Sequence, residues 1–158
     1  MTEVERIGDQ SQRAFAGDAW HGPSLMAILE GVTASQAAAR PFDDAHSIWE
    51  LVFHIAAWEQ AGVRRLAGDH ANLSDDEDWP AVMDTSEPAW EQTKETLRAG
   101  HKKFQDGISK LDESRLGEPV VEGLATVYVT LHGIIQHTLY HAGQIAILKK
   151  ATGEGRET

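Results

Sequence analysis

His137 and His141 stand four residues apart within the segment GIIQHTLYHAGQIAILKK at 133–150. On a helix this spacing projects both imidazoles from one face, a turn apart, which suits two ring nitrogens binding one ion. Chance placement of the chain's eight histidines gives about 0.4 such pairs, so the pair needs independent support. That support is His54, flanked by Phe53 and Ile55 and sharing a helical face with Leu51 and Trp58, on a helix expected to pack in the same bundle. A core histidine satisfied by one hydrogen bond is the other reading of His54, and spacing does not separate the two. Three protein ligands would leave a position for water or substrate, as in catalytic zinc sites.

The remaining polar residues are secondary candidates. The chain has no cysteine, so thiolate ligands, disulfides and a cysteine nucleophile are excluded, and any thiol chemistry needs a thiol from the substrate. Glu50, one turn before His54, could orient a ligand or act as an acid/base group, but Ser47 supplies the reciprocal partner of a capping box, which is the favoured reading. Gln144 and Gly133 share the face of the histidine pair; the first could hydrogen-bond a ligand and the second could leave space above an ion. His21, at the helix break Trp20-His21-Gly22-Pro23, is a candidate for the pocket entrance. His46, His70 and His101 read as solvated, and His132 lies off the ligand face. Tyr140 turns about 100° from that face and reads as core packing. Trp49, Trp58, Trp79 and Trp90 read as core and pocket wall.

The elements that would position these residues are helices joined by loops rich in Gly, Pro or acidic residues. A first helix is expected from Thr2 to about Phe15, continued over Ser24 to Glu30, with a short turn from Ser35 to Ala39. Ser47-Ile48-Trp49-Glu50 opens a second helix that should run to about Leu66 and end at Gly68. Residues 69–86, with Asp75-Asp76-Glu77-Asp78 and Trp79-Pro80, read as a long connection of the kind that shapes a site mouth. A third helix is expected from Ser86–Pro88 to about Leu111, its stripe of Trp90, Leu97, Phe104 and Ile108 facing inward and its other faces wet. The last helix, from Gly123 or Leu124 to Lys150, is apolar over Val127 to Leu148 and is expected in the middle of the bundle, although β-branched density in 119–131 would also suit a strand.

Length and charge narrow the classes. The chain of 158 residues fits one domain, with a core at about 5–150 and a flexible tail at 151–158. No apolar run approaches the roughly 18 residues of a membrane helix, and the N-terminus has neither a secretory signal nor a transit peptide, so the expected location is cytoplasmic. A formal charge of −11, with the 14 basic residues scattered, argues against nucleic-acid or anionic-lipid partners.

The segments HSIWELVFHIAAWE at 46–59 and GIIQHTLYHAGQIAILKK at 133–150, with AWHGPSL at 19–25 and DWP at 78–80, resemble the DinB superfamily, in particular its YfiT-like members. The resemblance runs from about residue 10 to 150. It implies an all-α four-helix bundle with long crossover connections, often a homodimer. It also implies one divalent metal ion per chain, zinc or nickel, held by His54, His137 and His141. The activity implied is a metal-dependent transferase in which the ion activates a low-molecular-weight thiol toward an electrophile. A hydrolase using metal-bound water, or a non-catalytic metal or small-ligand binding domain, are the alternatives.

Overall fold

Six of the helices begin where a Ser or Thr is placed to cap one. The computed structural model describes residues 1–153. Thr2 caps α1 (Glu3–Ala16), Thr33 caps α3 (Ala34–Ala38) and Ser47 caps α4 (Ile48–Leu66), each closing a capping box with the Glu or Gln three residues on. The short α2 (Leu25–Leu29) starts at Ser24 without a side-chain cap. Ser86 caps α6 (Glu87–Ser109), which has a proline in its first turn, and Thr126 caps α7 (Val127–Thr152).

Three expectations are corrected. The acidic run in 69–86 holds one helical turn, α5 (Asp75–Asp78), because Ser74 and Glu77 form a capping box of their own and the helix dipole favours carboxylates in a first turn. Helix α7 starts at Val127, later than expected. Just before it, Val120 donates to Ala125 and Val127 to Glu118, giving a bridge between Pro119 and Thr126 around Gly123 at φ +80°. The β-branched residues thus make a tight reversal and no strand. At the other end α7 continues to Thr152, so residues 151 and 152 are helical, and the rest of the expected tail, 154–158, lies outside the described residues.

Four long helices form the body. Trp49 donates to Thr93 (3.0 Å) and His101 meets Glu59 (2.8 Å), so residue numbers on α4 and α6 rise together and the two helices run parallel. Gln105 donates to Gly8 (3.2 Å) while Phe15 stacks on His101, which makes α1 antiparallel to α6. His54 opposes His137 and Gly62 opposes Ile134, which makes α7 antiparallel to α4. Helices α1 and α4 each pack on both α6 and α7, so the four close a ring with α1 and α4 on one diagonal. The α1–α4 connection carries α2 and α3; the α4–α6 connection carries α5. A 3-10 helix, Glu113–Gly117, follows α6.

The parallel pair constrains the chain path. Helix α4 is about 28 Å long at ~1.5 Å per residue, and the chain leaving its C-terminus must return to the level of its N-terminus before α6 begins. Residues 67–86 therefore retrace the flank of α4 and carry Asp78 and Trp79 past His54.

The core lies in two apolar clusters. One gathers Leu25, Leu29, Trp49, Ile55, Trp90, Leu97 and Ile145, and the other Ile7, Phe104, Ile108, Leu131 and Ile134. Buried polar residues on α4, α6 and α7 include Glu59, His101 and Thr138. Helices α4 and α7 meet closely at Gly62, where an added Cβ would press on the Ile134 Cδ1 methyl and come within 3.0 Å of the Phe104 ring. Gly62→Ala is expected to destabilise the protein by about 1–3 kcal/mol through overpacking, lowering the urea midpoint while the dependence on denaturant stays unchanged.

Candidate metal centre

His54 is buried in the second turn of α4, and His137 and His141 face it from α7. The three offer one ligand atom each, all within 4.8 Å of one another. The Nε2 atoms of His54 and His137 are 2.9 Å apart and those of His137 and His141 are 3.1 Å apart. Imidazole nitrogens that share one ion, each about 2.0–2.1 Å from it, stand roughly 3 Å apart.

The outer nitrogens decide which tautomer each ring adopts. His54 Nδ1 is 2.9 Å from both the carbonyl oxygen and Oδ1 of Asp78, which only accept, so in the neutral tautomer it carries the proton and Nε2 keeps its lone pair. His141 Nδ1 donates to Gln144 Oε1 at 2.6 Å, with the same consequence. Two lone pairs therefore aim at His137 Nε2, and a single N–H there satisfies only one of them. His137 Nδ1 is buried with no hydrogen-bond partner among the described residues. Extra protons are resisted as well. Burial, then the neighbouring His141 and His54, push His137 down to about 4, and burial lowers His141. Three convergent imidazoles, two held from behind, fit a divalent cation.

Aromatic rings enclose the centre. Trp79 stacks on His54 at 3.8 Å and on His46 at 3.7 Å, and so lies between two imidazoles. Trp58 lies 5.7 Å from His137 and donates through Nε1 to Asp78 Oδ1 at 2.7 Å. Trp58 and Trp79 are thus walls of the site, whereas Trp49 and Trp90 are core.

The secondary candidates separate clearly. Gln144 Oε1 accepts from His141 Nδ1. Glu50 does not: one oxygen pairs with Arg40 and the other accepts from the Ser47 backbone at 2.7 Å, so the carboxylate is a cap. His21 is exposed in the turn after α1 and makes no hydrogen bond or ring contact with the three histidines. A Cβ at Gly133 would meet nothing within 4 Å, so this glycine marks no close approach. Tyr140 is 67% exposed, which corrects its reading as core, and its ring lies edge-on to His141 at 5.0 Å. Helix α7 is likewise not central, since Val129 and Ile147 are also exposed: its ring position leaves one apolar face outside.

His101 is the largest departure from the sequence reading. It is 4% exposed, stacked on Phe15 at 3.7 Å and paired with Glu59, itself 2% exposed. Its position four residues after Leu97 and three before Phe104 places it on the inward stripe of α6, a signal that its polar neighbours Gly100, Lys102 and Lys103 mask. His46 is exposed, as expected, yet stacked on Trp79. Sequence reasoning did not single out Asp78; its signal is the Asp-Trp-Pro at 78–80.

These features define an all-α bundle with a three-histidine site capable of holding an ion. A model of the DinB superfamily matches residues 19–145, and the chain belongs to that superfamily. Comparison with curated proteins found no match. Comparison with solved structures found none either. Among the described residues no helix is long and apolar enough to cross a membrane.

The metal-free centre has a pH signature. His137 lies at about 4 in the fold against 6.5 in the unfolded chain, so between these values the unfolded state binds the extra proton. Its contribution is therefore fully present above pH 6.5 and is lost as pH falls toward 4. In chelator-treated protein, urea unfolding from pH 7 to 4 should show this loss, and His137→Leu should flatten it.

Proposed function

We propose that the chain binds one divalent ion, zinc or nickel, through His54, His137 and His141, and is a transferase that activates a low-molecular-weight thiol toward an electrophile. The carrying observation is the convergence of three lone-pair nitrogens whose outer nitrogens are already held by Asp78 and Gln144. A bound divalent ion lowers the pKa of a thiol or water that it coordinates. Asp78 and Gln144 hold their imidazoles in the tautomer and orientation that present Nε2. Trp58 and Trp79 exclude water from one side. With no cysteine in the chain, the thiol comes from solution.

Two features favour thiol transfer over hydrolysis with metal-bound water. Asp78, the carboxylate that touches a candidate ligand, sits behind His54 and on Trp58, away from the Nε2 atoms. Glu50 is occupied by Arg40 and the Ser47 backbone. Hydrolysis wants a carboxylate or imidazole base beside the attacking water; thiol transfer needs only the depressed thiol pKa. The group of three includes no fourth protein ligand among the described residues, which argues against a closed, non-catalytic site.

Elemental analysis of untagged protein is the test. Wild type should carry about one ion per chain, and the triple alanine variant of His54, His137 and His141 none, with helix content retained. Asp78→Ala should weaken affinity about tenfold, at the low end for an outer-sphere partner, because its backbone carbonyl still holds His54. Stoichiometric metal in the triple variant, or none taken up by wild type, would sink the proposal. Thiol loss in the presence of electrophiles then tests the transferase.

The proposal includes a homodimer through the exposed apolar part of α7, at Val129 and Tyr140. No charged residue lies between Val127 and Leu148, and in a chain of charge −11 a second copy approaches best where charge is lacking. Sedimentation equilibrium should find a dimer for wild type and a monomer for Tyr140→Asp.

A further inference from the structure

Beside the candidate centre, a cavity of about 290 Å³ opens between residues 42–46, the first turn of α4 and the last turns of α7. Its volume is at the lower end of the range for small-molecule pockets, roughly 300–1,000 Å³. Leu51 and Leu148 form a buried floor. Phe42 and Ile147, 50% and 62% exposed, also line it, and large apolar side chains left open around a hollow are what an apolar ligand covers. A second cavity, of about 610 Å³ between α1 and the end of α6, holds none of the three histidines and is bordered by Glu5, Asp112 and Glu113.

The lining of the 290 Å³ cavity also includes three polar side chains, Asp44, His46 and Gln144. Gln144 is exposed; its Oε1 is taken by His141 Nδ1, and its amide nitrogen, without a partner among the described residues, is open to solvent or a ligand. His46 stacks on Trp79, which stacks on His54. Two of the three polar groups therefore touch the candidate centre at one remove, by hydrogen bond and by stacking. Asp44 and the chain's net charge disfavour an anionic ligand.

We propose that this cavity binds the apolar part of a neutral, carbonyl-bearing small molecule, and that Gln144 is shared between that carbonyl and His141. The ligand lies on the Nδ1 side of His141, behind the imidazole, so the inference goes beyond the proposed function. Residues 42–46 and Ile147 then determine which ligands are accepted, while Gln144 is a positioning residue for both the ligand and the imidazole.

The test uses metal-free, full-length protein titrated with linear 2-alkanones from butanone to octanone, followed by chemical shifts of assigned side chains. The dissociation constant should fall about fourfold per added methylene until the cavity is full, with shifts at Leu51, Ile147 and the Gln144 amide. Ile147→Asp and Phe42→Asp, both at exposed positions that the fold tolerates, should each weaken octanone by roughly tenfold and flatten the series. Gln144→Met should weaken every ketone by roughly three- to tenfold and leave the chain-length dependence intact. A series without chain-length dependence, shifts centred on Gly8 and Gln105, or an unchanged series in both aspartate variants would overturn the proposal. His137→Ala, which removes one candidate ligand and leaves the His141–Gln144 bond in place, should bind the ketones as wild type does while losing the ion, so a failure of the metal assignment and a failure of this cavity give different results.

Discussion

The centre depends on α4 and α6 running parallel. Had they been joined as an antiparallel hairpin, a short turn would have sufficed and nothing would lie behind His54. The parallel order forces residues 67–86 back along α4, and the capped turn at Asp75–Asp78 fixes where that return path meets the helix. Asp78 then delivers a carbonyl and a carboxylate to one imidazole nitrogen and Trp79 covers the ring. A long crossover, entropically costly by itself, thus supplies the groups that stand behind the candidate centre.

Burial and hydrogen bonding act in opposite directions on the three rings. Removing water favours neutral imidazoles, which leaves lone pairs available. Holding two Nδ1 atoms from outside turns those lone pairs inward, where they repel one another unless a cation sits among them. Apolar and aromatic walls sharpen this, since lone-pair repulsion and cation binding both strengthen where water is excluded. Such a site is costly for the empty fold and correspondingly favourable when an ion is supplied.

Much of the long-helix architecture was legible in the sequence, because Ser47 and Ser86 sit ahead of apolar stripes with helical period. The histidine trio was legible for a related reason: His137 and His141 are four apart on one helix, and His54 lies on the inward face of another. What the sequence hid was tertiary or masked by composition. Ser74 and Glu77 form a capping box, yet the run of four acidic residues that follows Ser74 reads as solvated loop. Asp78 acquires its partner across 24 residues, and no local pattern encodes that pairing. In α7, uniform apolarity suggested a central helix, but a ring of four helices has no centre for one to occupy, so one apolar face stays outside.

The buried pair of Glu59 and His101 bears on the same geometry through register. Apolar stripes on α4 and α6 pack almost as well after a slip of one turn, about 5.4 Å. A directional pair does not: the slip would leave a carboxylate and an imidazole buried without partners, at a cost of about 3–5 kcal/mol. Phe15 stacked on His101, and Gln105 reaching both His101 and the Gly8 carbonyl, extend the same lock to α1. Helix α7 packs on α1 and α4 together, so the level at which it presents His137 to His54 follows from their heights. A polar layer that contributes no ligand therefore sets whether three imidazoles from two helices meet at one point.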